Sequence, residues 1–158
     1  MASEIKVDTI VNAGGDNDTG IDLATNDQIL LKVANATKLT MNSTGQTTIV
    51  GEGGTTTTSL QQGLCKHWVH FDGTDSTPAA SDSLNHSSLT DDGTGAYESV
   101  CTNNMANVEY ASFGFANDQN YGNGSQSTST LRFENKNDAG NAASDTNRVS
   151  MGMFGDLA

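Results

Sequence analysis

The sequence has few of the residues that build a hydrophobic core. Leucine, isoleucine, valine and phenylalanine together make 28 of the 158 residues, and the net charge is −12. This low branched-apolar content at high charge is typical of chains that do not fold alone. The apolar residues nevertheless alternate in short runs that end at turns, which is a strand pattern. We therefore expect a folded chain that buries part of its apolar surface against copies of itself.

Basic residues are also scarce, with 7 lysines and arginines against 19 acidic residues. Such a chain is repelled by nucleic acids and by anionic membrane surfaces, so neither is an expected partner. No apolar run approaches the ~20 residues that span a bilayer. The opening, MASEIKVDTI, lacks the apolar core of a signal peptide. We expect neither a membrane span nor secretion.

Motifs of catalytic and cofactor sites are missing as well. The sequence contains no GxSxG, no HExxH and no P-loop. His67 and His70 are three residues apart, so on a strand they face opposite sides and do not converge on one metal ion. The sequence predicts no enzyme, no cofactor and no metal. Cys65 and Cys101 are the only cysteines, and without a secretion signal we expect reduced thiols rather than a disulfide.

Threonine, serine, asparagine and glycine dominate what is present, with 68 of the 158 residues. These residues form strands and turns, and the glycines are not periodic, which excludes collagen. The sequence has a single proline and no long windows of helix-forming residues, so extended helices are not expected. The sequence therefore predicts an all-β fold.

The N-terminal third reads as a series of short strands. Alternating apolar residues at 21–23, 28–33, 39–41 and 47–50 predict strands eight to ten residues apart. Strands this short cannot cover one another's faces, so we favour a β-shaft, residues 1–50, in which three chains wrap together. A single small sheet within a monomer is the alternative. In the trimer, the interface would be formed by Ile29, Leu31, Val33, Leu39 and Met41.

A polar stretch, GEGGTTTTS at residues 51–59, predicts a flexible linker. About six strands follow it, at 68–71, 83–90, 97–100, 108–115, 130–134 and 148–154. Polar loops are expected at 117–128 and 135–147. This number of strands suits a small β-sandwich, jelly-roll-like knob over residues 60–158.

One long motif lies at the start of the knob. It reads Lys-x-Trp-Val-x-Phe-Asp-Gly-Thr over residues 66–74, then Ser-Leu-Asn-x-Ser-Ser-Leu-Thr-Asp-Asp-Gly-Thr-Gly-x-Tyr over residues 83–97. The motif resembles a module repeated in tail-fibre and other virion appendage proteins of tailed bacteriophages, especially marine ones. The opening segments SEIKVDTI, TGIDLATND and LTMNSTGQTTIVG are similar to the start of such fibres. His86 departs from the family, which usually has an apolar residue there.

The resemblance implies a virion structural protein, assembled in the cytoplasm of the host bacterium and binding other tail or capsid proteins. It implies virion attachment through the N-terminus, at Ile5, Val7 and Ile10. A capsid decoration protein at symmetry axes is one alternative, and a carbohydrate-binding adhesin module is another. Exposed aromatics among polar amides suit sugar binding. The predicted loop at 117–128 therefore gives Asn120, Tyr121 and Asn123 as residues that would contact a host-surface glycan.

Overall fold

The computed structural model describes residues 6–12, 18–51, 53–117, 119–137 and 142–158, with the backbone alone for residues 119–125. Those ranges contain fourteen β-strands and one four-residue helix, so the chain is all-β, as predicted. The chain forms two compact units, Met1–Gly63 and Leu64–Ala158. We call the first the N-terminal unit and keep the name knob for the second.

The N-terminal unit is built on a single six-stranded sheet. Each strand pairs antiparallel with the next along the chain, so the sheet is a simple meander. Ala34 and Asn35, both with positive φ, form the two-residue turn between the third and fourth strands. The strands are β1 Thr9–Val11, β2 Gly20–Asp22, β3 Gln28–Val33, β4 Ala36–Asn42, β5 Thr47–Val50 and β6 Thr57–Ser59.

The expected linker at 51–59 is wrong in its second half. Thr57–Ser59 forms β6, which pairs with Thr48–Val50 of β5. A short helix, α1 (Leu60–Gly63), follows at once. The Gln61 side chain accepts a hydrogen bond from the Thr47 N–H (2.9 Å) and donates one to the Gly45 carbonyl (2.8 Å). These bonds tie the segment to the N-terminal sheet. The threonine-rich run forms a strand because threonine has high strand propensity and a partner edge is available.

The knob contains two four-stranded antiparallel sheets. Sheet I has the order β11-β14-β7-β8 and sheet II the order β12-β13-β10-β9. The pairs β7–β8, β9–β10 and β12–β13 are hairpins within one sheet. The strands are β7 Cys65–Phe71, β8 Ala80–Leu84, β9 His86–Gly93, β10 Ala96–Cys101, β11 Ala111–Ala116, β12 Gln119–Gln126, β13 Thr130–Asn137 and β14 Val149–Phe154.

The single strand predicted over Ser83–Thr90 is in fact two strands in different sheets. The chain breaks at Asn85, whose φ is +54°, a conformation that asparagine tolerates. The Asn85 side chain holds this corner, since its Oδ1 accepts the Asn103 N–H (2.7 Å) and its Nδ2 donates to the Asn103 carbonyl (2.9 Å). Both bonds connect positions distant in sequence, so local strand propensity does not show the break.

Two segments that the sequence places between strands also contain strand residues. Strand β9 continues through Asp91 and Asp92 to Gly93, with a register irregularity opposite Ala96–Tyr97. The predicted polar loop at 117–128 is mostly strand β12, an edge strand paired with β13. An edge strand can be polar because water covers one side of it, and this explains why the composition of this segment indicated a loop.

The knob core lies between the inner faces of its two sheets. Phe71 of sheet I meets Tyr97 of sheet II edge-on, with ring centroids 5.0 Å apart. The thiols of Cys65 and Cys101 are free. Eleven buried apolar residues of the described chain form one cluster: Val69, Phe71, Tyr97, Cys101, Met105, Tyr110, Leu131, Phe133, Val149, Met151 and Met153.

The Tyr97 hydroxyl joins β10 to two loops of the knob. It lies 2.9 Å from the Gly73 carbonyl and 2.9 Å from an Asp145 carboxylate oxygen. Burial first, and then Asp145, raises the pKa of Tyr97 above its ordinary value. The hydroxyl therefore stays protonated and donates.

Replacing Tyr97 with phenylalanine should lower the free energy of unfolding by about 1–3 kcal/mol, because the buried Gly73 carbonyl loses its donor. Urea unfolding followed by circular dichroism measures this difference. The matched variant Ser88→Ala removes an exposed hydroxyl from the neighbouring strand β9 and should cost less than about 0.5 kcal/mol. Equal midpoints for Tyr97→Phe and the native chain would contradict the prediction.

Candidate functional site

One face of the N-terminal sheet carries a continuous apolar row. Residues paired across antiparallel strands point to the same side of a sheet. The register pairs Ile10 with Ile21, Ile21 with Leu31, Leu31 with Leu39 and Leu39 with Ile49. Five neighbouring strands thus place an aliphatic side chain at the same level. Such a row is the signature of a face that packs against another layer.

Further apolar residues widen the row at both ends of the strands. Ile29 pairs with Met41, and Val33 follows Leu31 on the same side of β3. The side chains of Ile10 and Val33 are 53% and 49% exposed. We call this set the apolar face; it comprises Ile10, Ile21, Ile29, Leu31, Val33, Leu39, Met41 and Ile49.

The opposite face of the same sheet is mainly polar. The row on that side pairs Thr9 with Asp22, Asp22 with Leu30, Leu30 with Thr40 and Thr40 with Thr48. Lys32 donates a hydrogen bond to Asp22 there. This bond is the first cause that holds the pKa of Asp22 below its usual range. The sheet is therefore amphipathic, and only one of its faces favours leaving water.

The structure brings together all five residues predicted for a trimer interface. Ile29, Leu31, Val33, Leu39 and Met41 all lie on the apolar face. Sequence reasoning missed Ile21 and Ile49, which complete the row on β2 and β5. Their strands are only three and four residues long. Alternation along these strands is visible in the sequence, but only the register of the sheet shows which residues lie beside them.

The structure describes two of the three residues predicted for virion attachment. Ile5 lies outside the described residues. Val7 and Ile10 are both exposed, and Ile10 occupies one end of the apolar row. It thus shares a face with the residues expected between chains.

The residues predicted for receptor contact lie on a strand. Asn120, Tyr121 and Asn123 belong to β12, where they pair with Lys136, Asn135 and Phe133 of β13. Their side chains lie outside the described part of the structure, so the prediction of glycan contact stays a prediction. The expected loop, however, is not there.

A buried hydroxyl lies between two imidazoles in the knob. Ser99 Oγ is 2.9 Å from His67 Nε2 and 2.8 Å from His86 Nδ1. This pairing resembles a nucleophile with its base, but Ser99 is 0% exposed, so no substrate reaches it in this conformation. His67 Nδ1 is 3.1 Å from the Asn85 carbonyl, which fixes the proton on Nδ1 and leaves Nε2 as the acceptor. We assign a structural role to the cluster.

Within the described residues, no three histidine, cysteine, aspartate or glutamate side chains converge as metal ligands. Across the same residues, no helix has the length and apolar character needed to cross a membrane. No protein-family model, curated protein or solved structure matches this chain.

Proposed function

We propose that the chain is a structural component of a tailed-bacteriophage virion, a short fibre or appendage made of three copies. The observation that carries this proposal is the apolar face, a sheet surface of eight aliphatic side chains that the monomer leaves partly in water. An amphipathic sheet is stable only when a second layer covers its apolar face. Further copies of the same face are the covering that the sequence itself supplies. The motif at residues 66–97 supports the virion setting.

The number of copies, three, rests on the pattern of short strands in the N-terminal third, which suits a β-shaft in which three chains wrap together.

In this proposal the N-terminal sheets form the assembly and bind other virion proteins, with Val7 and Ile10 at the attachment end. The protein is made in the bacterial cytoplasm and functions in the virion. It needs no catalysis, cofactor, nucleic acid or membrane. In this proposal the knob, which has two four-stranded antiparallel sheets, is a jelly-roll-like β-sandwich. A decoration protein at capsid symmetry axes remains the alternative, in which the apolar face would be covered by capsid protein.

Light scattering on the purified chain tests the assembly directly. We expect a mass near three times 16.5 kDa at both low and high protein concentration. Leu31→Asp should give a monomer, because assembly would bury three carboxylates near one axis without partners. The control Thr48→Asp adds the same charge to the polar face and should keep the trimer. A native chain that stays monomeric at high concentration would contradict the proposal and favour the decoration protein.

A further inference from the structure

The outer face of sheet I in the knob carries a cleft that is lined by an aromatic ring and by polar groups. Its volume is about 300 Å³, and it is lined by His70, Phe115, Ala116, Asn117, Arg148 and Ser150. This volume is at the lower end of the range for small-ligand sites, roughly 300–1,000 Å³. The lining residues come from three neighbouring strands and the loops that follow or precede them.

The register of sheet I places these residues side by side. Phe115 pairs with Ser150, and Ser150 pairs with His70, so one row crosses β11, β14 and β7. The Asn117 N–H donates to the Arg148 carbonyl at 3.3 Å, which continues the pairing one row further. Arg148 is therefore diagonal to Phe115, at about 7–8 Å between the backbones.

The aromatic wall of the cleft is held in place before any ligand arrives. Phe115 is 63% exposed, and its ring centroid lies 5.9 Å from that of Phe113. Phe113 in turn lies over Gly152, where a Cβ would come within 2.5 Å of the Phe113 ring, and it contacts Phe154 at 5.5 Å. The exposed Phe115 ring is thus supported on one side by Phe113, which lowers the entropy cost of binding.

The polar wall is also held in place. His70 Nδ1 lies 2.9 Å from Ser150 Oγ, which orients the imidazole with Nε2 available to a ligand. Arg148 is exposed and forms no ion pair with any described residue. It is one of only two arginines in a chain of net charge −12. A guanidinium in such a chain is a specific place for a carboxylate, which it can bind through two parallel hydrogen bonds.

We propose that this cleft binds a saccharide unit that carries a carboxylate. The C–H face of the sugar ring packs on Phe115, its hydroxyls bond to Asn117 and His70, and its carboxylate binds Arg148. A flat apolar platform beside amide, imidazole and guanidinium groups matches a ring that has one apolar face and a polar edge. The inference rests on the proposed function only for its setting, a protein of the virion.

Trp68 provides the readout, because it is the only tryptophan and lies on the same outer face, two residues before His70 on β7. The probe is oligogalacturonate, titrated against the full chain and followed by Trp68 fluorescence and by calorimetry. Dextran oligomers of the same length are the neutral comparison. We expect oligogalacturonate to bind at least tenfold more tightly than dextran, with the difference decreasing as salt screens Arg148.

The variants separate the two walls of the cleft. Phe115→Ala should weaken binding of oligogalacturonate at least tenfold, and Arg148→Gln should remove the preference over dextran. The control Leu84→Ala truncates an exposed apolar side chain on the same sheet, outside the cleft, and should bind like the native chain. No binding by the native chain at millimolar probe, or unchanged binding by Phe115→Ala, would overturn the inference.

Light scattering on the same samples distinguishes this inference from the proposed function. A trimer that binds no saccharide overturns the cleft and leaves the assembly in place. A monomer that binds oligogalacturonate through Phe115 overturns the trimer and keeps the cleft, because every residue in the cleft comes from one chain.

Discussion

Replacing Gly114 with alanine is expected to lower the free energy of unfolding of the knob by about 3 kcal/mol, the upper end of the range for overpacked cores. Gly114 lies on the inner face of β11, opposite the Phe133 ring of the other sheet. A Cβ at Gly114 would overlap two carbon atoms of that ring. Phe133 is 1% exposed, so the ring cannot move aside without disturbing the core. Urea unfolding of the variant, followed by circular dichroism, measures the loss.

Two further variants show that the cause is the ring. Gly63→Ala adds the same methyl group where no atom lies within 4 Å, and it should leave the unfolding midpoint unchanged. Gly114→Ala combined with Phe133→Leu should be more stable than the sum of the single effects predicts, because a smaller side chain makes room for the methyl group. Strict additivity of the two changes would mean that the residues do not compete for the same space.

The sequence predicted best those strands whose inner side chains alternate with outer ones. The sequence predicts a strand at 148–154, and Val149, Met151 and Met153, which alternate along it, are all fully buried. The same holds for Leu131 and Phe133 in the strand predicted at 130–134. The alternation of apolar and polar residues is strong in these strands because the two sheets that pack against each other belong to the same chain.

The errors occur where a contact distant in sequence decides the local structure. Asn85 breaks a run that reads as one strand, because its side chain bonds to Asn103. Strand β12 is polar throughout, so only its pairing with β13 reveals it. The proximity of Gly114 to Phe133 belongs to the packing of two sheets, and no periodicity in either strand predicts it.

The apolar face was predicted in part for a related reason. Alternation within β3 and β4 identified Leu31 and Leu39. It could not show that Ile10, Ile21 and Ile49 lie at the same level, because this follows from the register of five strands. The cleft at Phe115 was missed altogether. Phe115 and Arg148 are separated by 32 positions in sequence, and only the pairing of β11 with β14 brings them to one place.

The knob should lose stability as the pH falls below about 6.5, the ordinary pKa of histidine, because of the cluster around Ser99. Burial lowers the pKa of His67 below this value, and it lowers the pKa of His86 in the same direction. Between the folded pKa and about 6.5, the unfolded chain binds more protons than the folded chain, so the free energy of unfolding rises with pH in that window. In that window His67 contributes up to about 1.4 kcal/mol per pH unit, and His86 contributes less because solvent screens its partly exposed ring.

The hydrogen bonds of the cluster give the physical reason. Neutral His67 donates from Nδ1 to the Asn85 carbonyl and accepts the Ser99 hydroxyl proton at Nε2. Protonation of Nε2 replaces that acceptor with a donor, so the Ser99 hydroxyl loses its acceptor on His67 and has to turn its proton toward His86 Nδ1, 2.8 Å away. It also places a cation 6.0 Å from the ring of His86. Both effects destabilise the folded state at pH values below the window, where His67 is protonated. Both are absent above the window, where His67 is neutral.

Urea unfolding at several pH values between 5 and 8 tests the cluster. His67→Phe should flatten the dependence of unfolding free energy on pH, even though it lowers stability at pH 8 by leaving Ser99 and the Asn85 carbonyl without this partner. His86→Gln should flatten it less, since the His86 side chain is only partly buried. Ser88→Ala changes no titratable group and should keep the native slope. If His67→Phe retained the full native slope, the pH dependence would have to come from other groups.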